Sequence, residues 1–404
     1  MSTPSPGRSS LPIFLLSAAG FSVMTTEFVI VGLLPAMARD LSVSIPTAGL
    51  LVSLFAFTVA VVGPPLVAFM ARFERKRLFV ATLLLFSLSN LLAAVAPNFG
   101  IMAFARFIPA VMLPVFWSLA SEMAVEITGP GRAGKAISMV SVGPVAAMIF
   151  GIPIGTLVAD AFGWRVAFGS LAVLALAKAA LLFIFLPTIR GKEGQASVAA
   201  QMAILRNPLV AGHVLLTVLI FAGVFTAYTY LADILEKIAG LDGSTVGWIL
   251  MGFGGMGLLG NWLGGRAVDR SPLGASIVFS ILIAIPMVAL VPFIRSQAVL
   301  GATLALWGIA QSAIFPSAHV RVMKSVASNQ ALGASLNISG ANMGIGLGAL
   351  IGGRVIDAYG LPQVGVAAAV VIGLGVAAAV ALMLFSRAPK PIDTPCLEGD
   401  GCGG

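Results

Sequence analysis

Two stretches decide the fold: GIPIGTLVADAFG, residues 151–163, and GALIGGRVIDAYG, residues 348–360. A shift of 197 positions superposes Gly151 on Gly348, Gly155 on Gly352, Asp160 on Asp357 and Gly163 on Gly360. A second anchor, Arg72 against Arg270, has a shift of 198. Two distant anchors with nearly one shift imply a duplicated unit. Both stretches are glycine-rich and apolar, and their Gly-x-x-x-Gly spacing allows helices to approach closely in a membrane. Gly151, Pro153, Gly155, Gly348 and Gly352 are therefore expected at helix-packing surfaces, with Pro144 and Pro153 bending their helix.

Composition extends this reading to the whole chain. Of 404 residues only 23 are Lys or Arg and 15 Asp or Glu, 9% in all, against 59% hydrophobic. A soluble domain carries roughly a quarter charged residues. The composition excludes soluble enzymes, nucleic-acid binders and disordered chains. Cys396 and Cys402 both fall in the polar C-terminal tail and imply neither a disulfide framework nor a metal site.

A membrane helix needs about 20 mostly apolar residues. On that measure twelve spans are predicted, at about 11–36, 46–71, 77–96, 99–124, 135–159 and 165–187, then 208–232, 244–265, 273–294, 298–322, 330–356 and 361–386. The first is too long for a signal-peptide core and is read as a retained span. The predicted organisation is a tail (1–10), a six-helix bundle (11–187), a linker (188–207) with an interfacial helix in QMAIL, a second bundle (208–386) and a tail (387–404). The fold class is all-α membrane protein, two bundles related by a pseudo-two-fold axis. Sixteen cations, Arg321 among them, fall in loops and tails on the N-terminal side and five on the other. The positive-inside rule puts both termini in the cytoplasm of an inner membrane. Parallel duplication around a long middle loop suits alternating access to a central solute site.

A carboxyl at membrane depth is costly and marks function. Glu27 alone of the acids sits well inside a span, about 12 Å from its outer end. Burial favours the neutral form of a carboxyl, so such a group can take a proton from one side and release it to the other. Arg106, about 10 Å from the same end of span 4, is its expected ion-pair partner. Lys178 lies near the middle of span 6, read as scaffold or as a functional charge. His213 and His319 stand alone near cytoplasmic span ends. Neither a catalytic triad, a metal cluster nor a phosphate loop is found, so no enzyme and no cofactor are expected, the energy source being the proton gradient.

The opening TTEFVIVGLLPAMARDL (Thr25 to Leu41), the basic loop RFERKR (Arg72 to Arg77), Arg106 in FARFIPAVMLP, and GIPIGTLVADAFGWRVAF (Gly151 to Phe168) resemble the major facilitator superfamily. More narrowly they are similar to its twelve-span drug:proton antiporter branch, near the purine, nucleoside, sugar and arabinose efflux permeases. The resemblance implies that spans 1, 4, 7 and 10 line the cavity and that Arg106 assists proton transfer. On those spans Trp117, Phe221, Phe225, Tyr228, Trp307 and Gln311 are the candidate solute contacts, with Phe315 on the face of Trp307. It also implies an inner gate at Arg72, Arg75 and Lys76 and at the repeat copy Asp269 and Arg270. The family's acid in the first loop is Ala71 here, for which Glu74 or Asp269 is the candidate replacement. The expected function is proton-coupled export of a small organic molecule such as a drug, nucleobase, nucleoside or sugar. Uptake by uniport or proton symport is the alternative. The expected partners are solute, protons and lipid, with no nucleic acid, around a monomer.

Overall fold

The computed structural model describes residues 10–70, 72–128, 133–189, 203–326 and 330–387. Both polar tails, Ala71 and linker residues 190–202, with the start of QMAIL, lie outside the described residues. Among those described the chain is helical and strand-free, with twelve helices long and apolar enough to cross a membrane. Spans 1–6 are Leu11–Asp40, Ile45–Val67, Arg75–Ala94, Phe99–Thr128, Met139–Phe162 and Trp164–Phe185. Spans 7–12 are Pro208–Lys237, Gly243–Arg270, Pro272–Phe293, Gln297–Ser325, Leu332–Tyr359 and Leu361–Leu384.

Several helices outrun the apolar run that predicts them. Span 1 continues through Arg39 and Asp40 because both find partners there. Arg39 Nη1 meets Glu236 Oε2 at 2.7 Å, and Asp40 accepts from Arg165 and, at 3.1 Å, from Trp164 Nε1. Span 7 breaks after Tyr228 and resumes over Leu231–Lys237. Span 5 widens into a π turn over Ala147–Gly151, between Pro144 and Pro153. A proline cannot donate to the preceding turn, and a π turn is one way a helix absorbs the mismatch.

The duplication is visible in the packing. Span 1 packs on 5 and 6, span 2 on 4, and span 3 on 4 and 6. Adding six to each number gives the packing of the second half: 7 on 11 and 12, 8 on 10, and 9 on 10 and 12. The halves meet where 2 packs on 11 and 5 on 8, a pattern that also maps onto itself. The last glycines of the two repeat copies share a backbone, Gly163 at φ +89° and Gly360 at φ +86°. Glycine adopts that region without penalty, so each copy ends its span and turns into the next.

Small residues permit the close approaches. A Cβ on Gly348 would lie 2.9 Å from Thr226 N, and one on Gly352 2.9 Å from Tyr230 Cδ2, so span 11 lies against span 7. Gly151 and Gly155 bring span 5 onto Thr25 and Val29 of span 1, with Pro153 buried beside them. Between the halves, a Cβ on Gly254 would lie 2.7 Å from Met148 O, one on Gly247 2.7 Å from Leu157 Cδ2, and one on Gly346 2.6 Å from Phe57 Cε1. Ser53 Oγ also donates to Gly346 O at 3.0 Å across that seam. These contacts run from the Asp40 end to about 20 Å along the spans. The Asp40 face is closed.

Candidate functional site

Glu27 sits in span 1 with 9% of its surface exposed. The neighbours of span 1 fix its setting. Asn90 Nδ2 of span 3 donates to Thr26 Oγ1 at 3.1 Å, and the Phe28 ring meets Phe225 of span 7 at 6.0 Å. Glu27 is therefore one residue from a contact between the halves. Among the described residues its carboxyl makes no hydrogen bond and no ion pair, so the oxygens are free for a proton or a solute.

Arg106 is only 1% exposed. It does not form the expected ion pair. Its guanidinium instead donates to two backbone carbonyls, Thr26 O and, at 2.7 Å, Glu27 O, and lies 4.5 Å from the Phe55 ring centroid. The side chain spends its terminal nitrogens on the backbone of span 1, and no ion pair links it to the Glu27 carboxyl. Among the described residues Arg106 Nε is buried without a partner.

The aromatic candidates of spans 7 and 10 do come together. Phe221 stacks on Phe225 at 6.5 Å and meets Phe315 edge-on at 5.0 Å. Phe225 meets Tyr228 at 5.5 Å, Tyr228 meets Phe253 at 5.6 Å, and Phe253 meets Trp307 at 6.0 Å. Trp307 Nε1 donates to Gln311 Oε1 at 2.9 Å, one turn on. The chain of rings thus runs from Phe28, beside Glu27, to a tryptophan held by an amide. Phe28 and Phe253 escaped sequence reasoning, since one phenylalanine in an apolar run carries no pattern. Trp117 stands apart from these rings. It packs edge-on against Phe116 at 5.2 Å and lies where Gly20 of span 1 leaves room.

The loop cations find their named partners within the first half. Arg75, 2% exposed, reaches Glu122 Oε2 at 2.7 Å, and its N–H donates to Ile189 O at 3.0 Å. Glu74 pairs with Arg77 at 3.0 Å, Arg72 lies 4.0 Å from the Phe69 ring centroid, and Lys76 5.3 Å from that of Phe183. Asp269 and Arg270 are exposed at the end of span 8. Lys178 donates to Ser22 of span 1 and lies 5.3 Å from the Phe21 ring centroid.

Two readings need correction. Arg321, counted with the loop cations, is 3% exposed and lies inside the second bundle. His213 and His319 are not alone. Arg321 Nη1 donates to His213 O at 2.7 Å and lies 3.2 Å from His213 Nδ1, while Nη2 donates to Thr217 Oγ1 at 2.8 Å. Asn337 is 3.3 Å from Thr217 Oγ1 and 3.4 Å from His319 Nδ1. One turn separates His213 from Thr217, and that spacing was the available signal. Among the described residues no group of three or more His, Cys, Asp or Glu could hold a metal.

The chain matches the sequence family described as Major Facilitator Superfamily over residues 16–331 and 214–396. It is 32% identical over 392 residues to the inner membrane transport protein YdhP of Escherichia coli (strain K12), covering 96% of this chain and 99% of that one. It is 31% identical over 354 residues to a probable sugar efflux transporter of Helicobacter acinonychis (strain Sheeba), covering 87% and 90%. Among solved structures it is similar to a bacterial homologue of the human lysosomal transporter Spinster, with TM-score 0.75, 17% identity and 96% and 100% of the two chains covered. The nucleoside transporter NupG gives TM-score 0.71 at 16% identity, with 93% and 99% covered. Twelve apolar helices in two halves of matching packing and a family match along nearly the whole chain agree: this protein belongs to the Major Facilitator Superfamily, a family of membrane transporters and not of enzymes.

Proposed function

We propose that this chain is a proton-coupled exporter of a small organic molecule, monomeric in an inner membrane with both termini in the cytoplasm. The observation that carries the proposal is the Glu27 carboxyl: enclosed in span 1, one residue from the contact between halves, and free of any hydrogen bond or ion pair among the described residues. A carboxyl held neutral by its surroundings carries a proton when the site opens to the acidic side. Arg106, anchored on the Glu27 carbonyl, supplies the positive field that favours release once the site opens to the other side. The rings from Phe28 to Trp307 are buried against one another in this state, and a cavity opening between the halves would present them as flat apolar surfaces, with Gln311 a polar end, to a sugar, nucleoside or drug-like solute. Identity at the 30% level to probable sugar efflux transporters supports export. The excess of cations on the Arg72 face supports a cytoplasmic Arg72 face and an external Asp40 face. The closed Asp40 face then corresponds to a state shut to the outside.

The test is transport in everted vesicles with an imposed pH gradient, against a panel of sugars, nucleosides and amphenicols. A transported solute is expected to release protons from the acidified lumen. Glu27→Gln is expected to abolish that release while keeping solute exchange. Full pH-driven transport by Glu27→Gln defeats the assignment.

A further inference from the structure

We infer that the cluster His213, Thr217, Arg321, Asn337 and His319 is a binding site for an anionic group, entered from the Arg72 face. Arg321 is a cation almost fully enclosed by protein, and burying an unpaired charge is expensive. The described acids of the second half are Asp233, Glu236, Asp242, Asp269 and Asp357. None forms an ion pair with Arg321. Asp233 is bound to Lys237 and Glu236 to Arg39 on the closed face, and Asp242 is engaged by Ser244 and Thr245.

What surrounds Arg321 is instead a neutral cradle. Thr217, the His213 carbonyl and His213 Nδ1 occupy its terminal nitrogens. Among the described residues its Nε is buried with no partner. Asn337 stands beside Thr217, its Oδ1 accepting from Thr217 Oγ1 at 3.3 Å and its Nδ2 3.4 Å from His319 Nδ1, which leaves one amide N–H and, with each Nδ1 as acceptor, the Nε2–H of both imidazoles as further donors. A guanidinium N–H with amide and imidazole N–H groups is the donor set that carboxylates and phosphates select. The position allows access. His213 lies five residues inside span 7 and Arg321 four residues inside span 10, so the cluster is about 6–8 Å from the Arg72 face. Both histidines are half-buried, His213 directly on the buried arginine and His319 beside Asn337.

A resident inorganic anion and the acidic group of a solute share this chemistry. Only the second of these sources rests on the transporter reading above. The probes are sodium chloride, sodium phosphate and sodium benzoate, titrated against the melting temperature of the full-length protein in nanodiscs. At least one is expected to raise it saturably. Arg321→Gln is expected to lose the saturable rise and thereby supplies the ionic-strength baseline. Asn337→Ala, which keeps the charge, is expected to weaken apparent affinity about tenfold and serves if the arginine variant does not fold. Counterflow of labelled benzoate in proteoliposomes identifies a solute group as the occupant. Stabilisation by chloride or phosphate without counterflow identifies a resident ion. No saturable rise in the wild type, an equal rise in Arg321→Gln, or an unchanged affinity in Asn337→Ala overturns the site. Glu27→Gln keeps the anion response if the site is real, so failure here and failure of proton coupling are read separately.

Discussion

Arg106 in span 4 and Arg321 in span 10 are built alike. Each is almost fully enclosed, each spends its terminal nitrogens on oxygens of the span that opens its half, and each leaves Nε unpartnered. They differ in depth and in company. Arg106 lies toward the closed Asp40 face, bound to the carbonyls of Thr26 and of the acidic Glu27. Arg321 lies toward the Arg72 face among histidines, a threonine and an amide. Duplication has kept the contact between corresponding spans while the two halves have placed different chemistry on it. The first half sets a cation and an acid side by side, which suits a proton. The second sets a cation among neutral donors, which suits an anion.

The largest expected effect separates the two arginines. Arg106→Ala leaves two buried carbonyls, Thr26 O and Glu27 O, without their donor and is expected to cost about 3 kcal/mol. Arg321→Gln removes an unpaired buried charge and is expected to stay within about 1 kcal/mol of wild type in an anion-free buffer. Melting curves in one detergent check both, and equal losses would erase the distinction. Next comes the coupling of Glu27 to Arg106. A double-mutant cycle on Glu27→Gln and Arg106→Gln is expected to give about 1 kcal/mol or more of interaction energy, whereas Glu27→Gln with Arg321→Gln should be additive. Smaller again is the ion pair that bridges the halves at the closed face. Arg39 is 64% exposed there, so Arg39→Gln is expected to cost at most about 1 kcal/mol, fading with added salt. Cysteine accessibility at the Asp40 face in low and high salt reads it.

The smallest effect belongs to the cap of span 8. Hydrogen bonds from Ser244 and Thr245 hold the Asp242 carboxyl down at about 2. Its folded value is depressed below the ordinary carboxylate range, so its contribution is present above about pH 4 and is lost as pH falls through 2. Asp242→Ala is expected to lower the melting temperature slightly at neutral pH, with the difference vanishing near pH 2.

Much of this was legible in the residues themselves. A low charge count and apolar runs of membrane length dictate spanning helices, because a backbone in lipid must satisfy its own hydrogen bonds. The shift of 197 between Gly163 and Gly360 carried the duplication, down to the positive φ both glycines share. Glu27 and Arg106 were legible because intramembrane charge is rare enough to stand out. Which atoms those charges touch was decided in three dimensions: Arg106 meets carbonyls before it meets a carboxylate, and that order depends on how closely span 4 approaches span 1. Arg321 shows the limit most clearly. Near the end of an apolar run it reads as a loop cation, and only the approach of spans 7 and 11 turns it inward to His213 and Thr217. Periodicity records how far along a helix a residue lies, while the partner it faces is set by other helices, 80 positions away for Arg106 and 108 for Arg321.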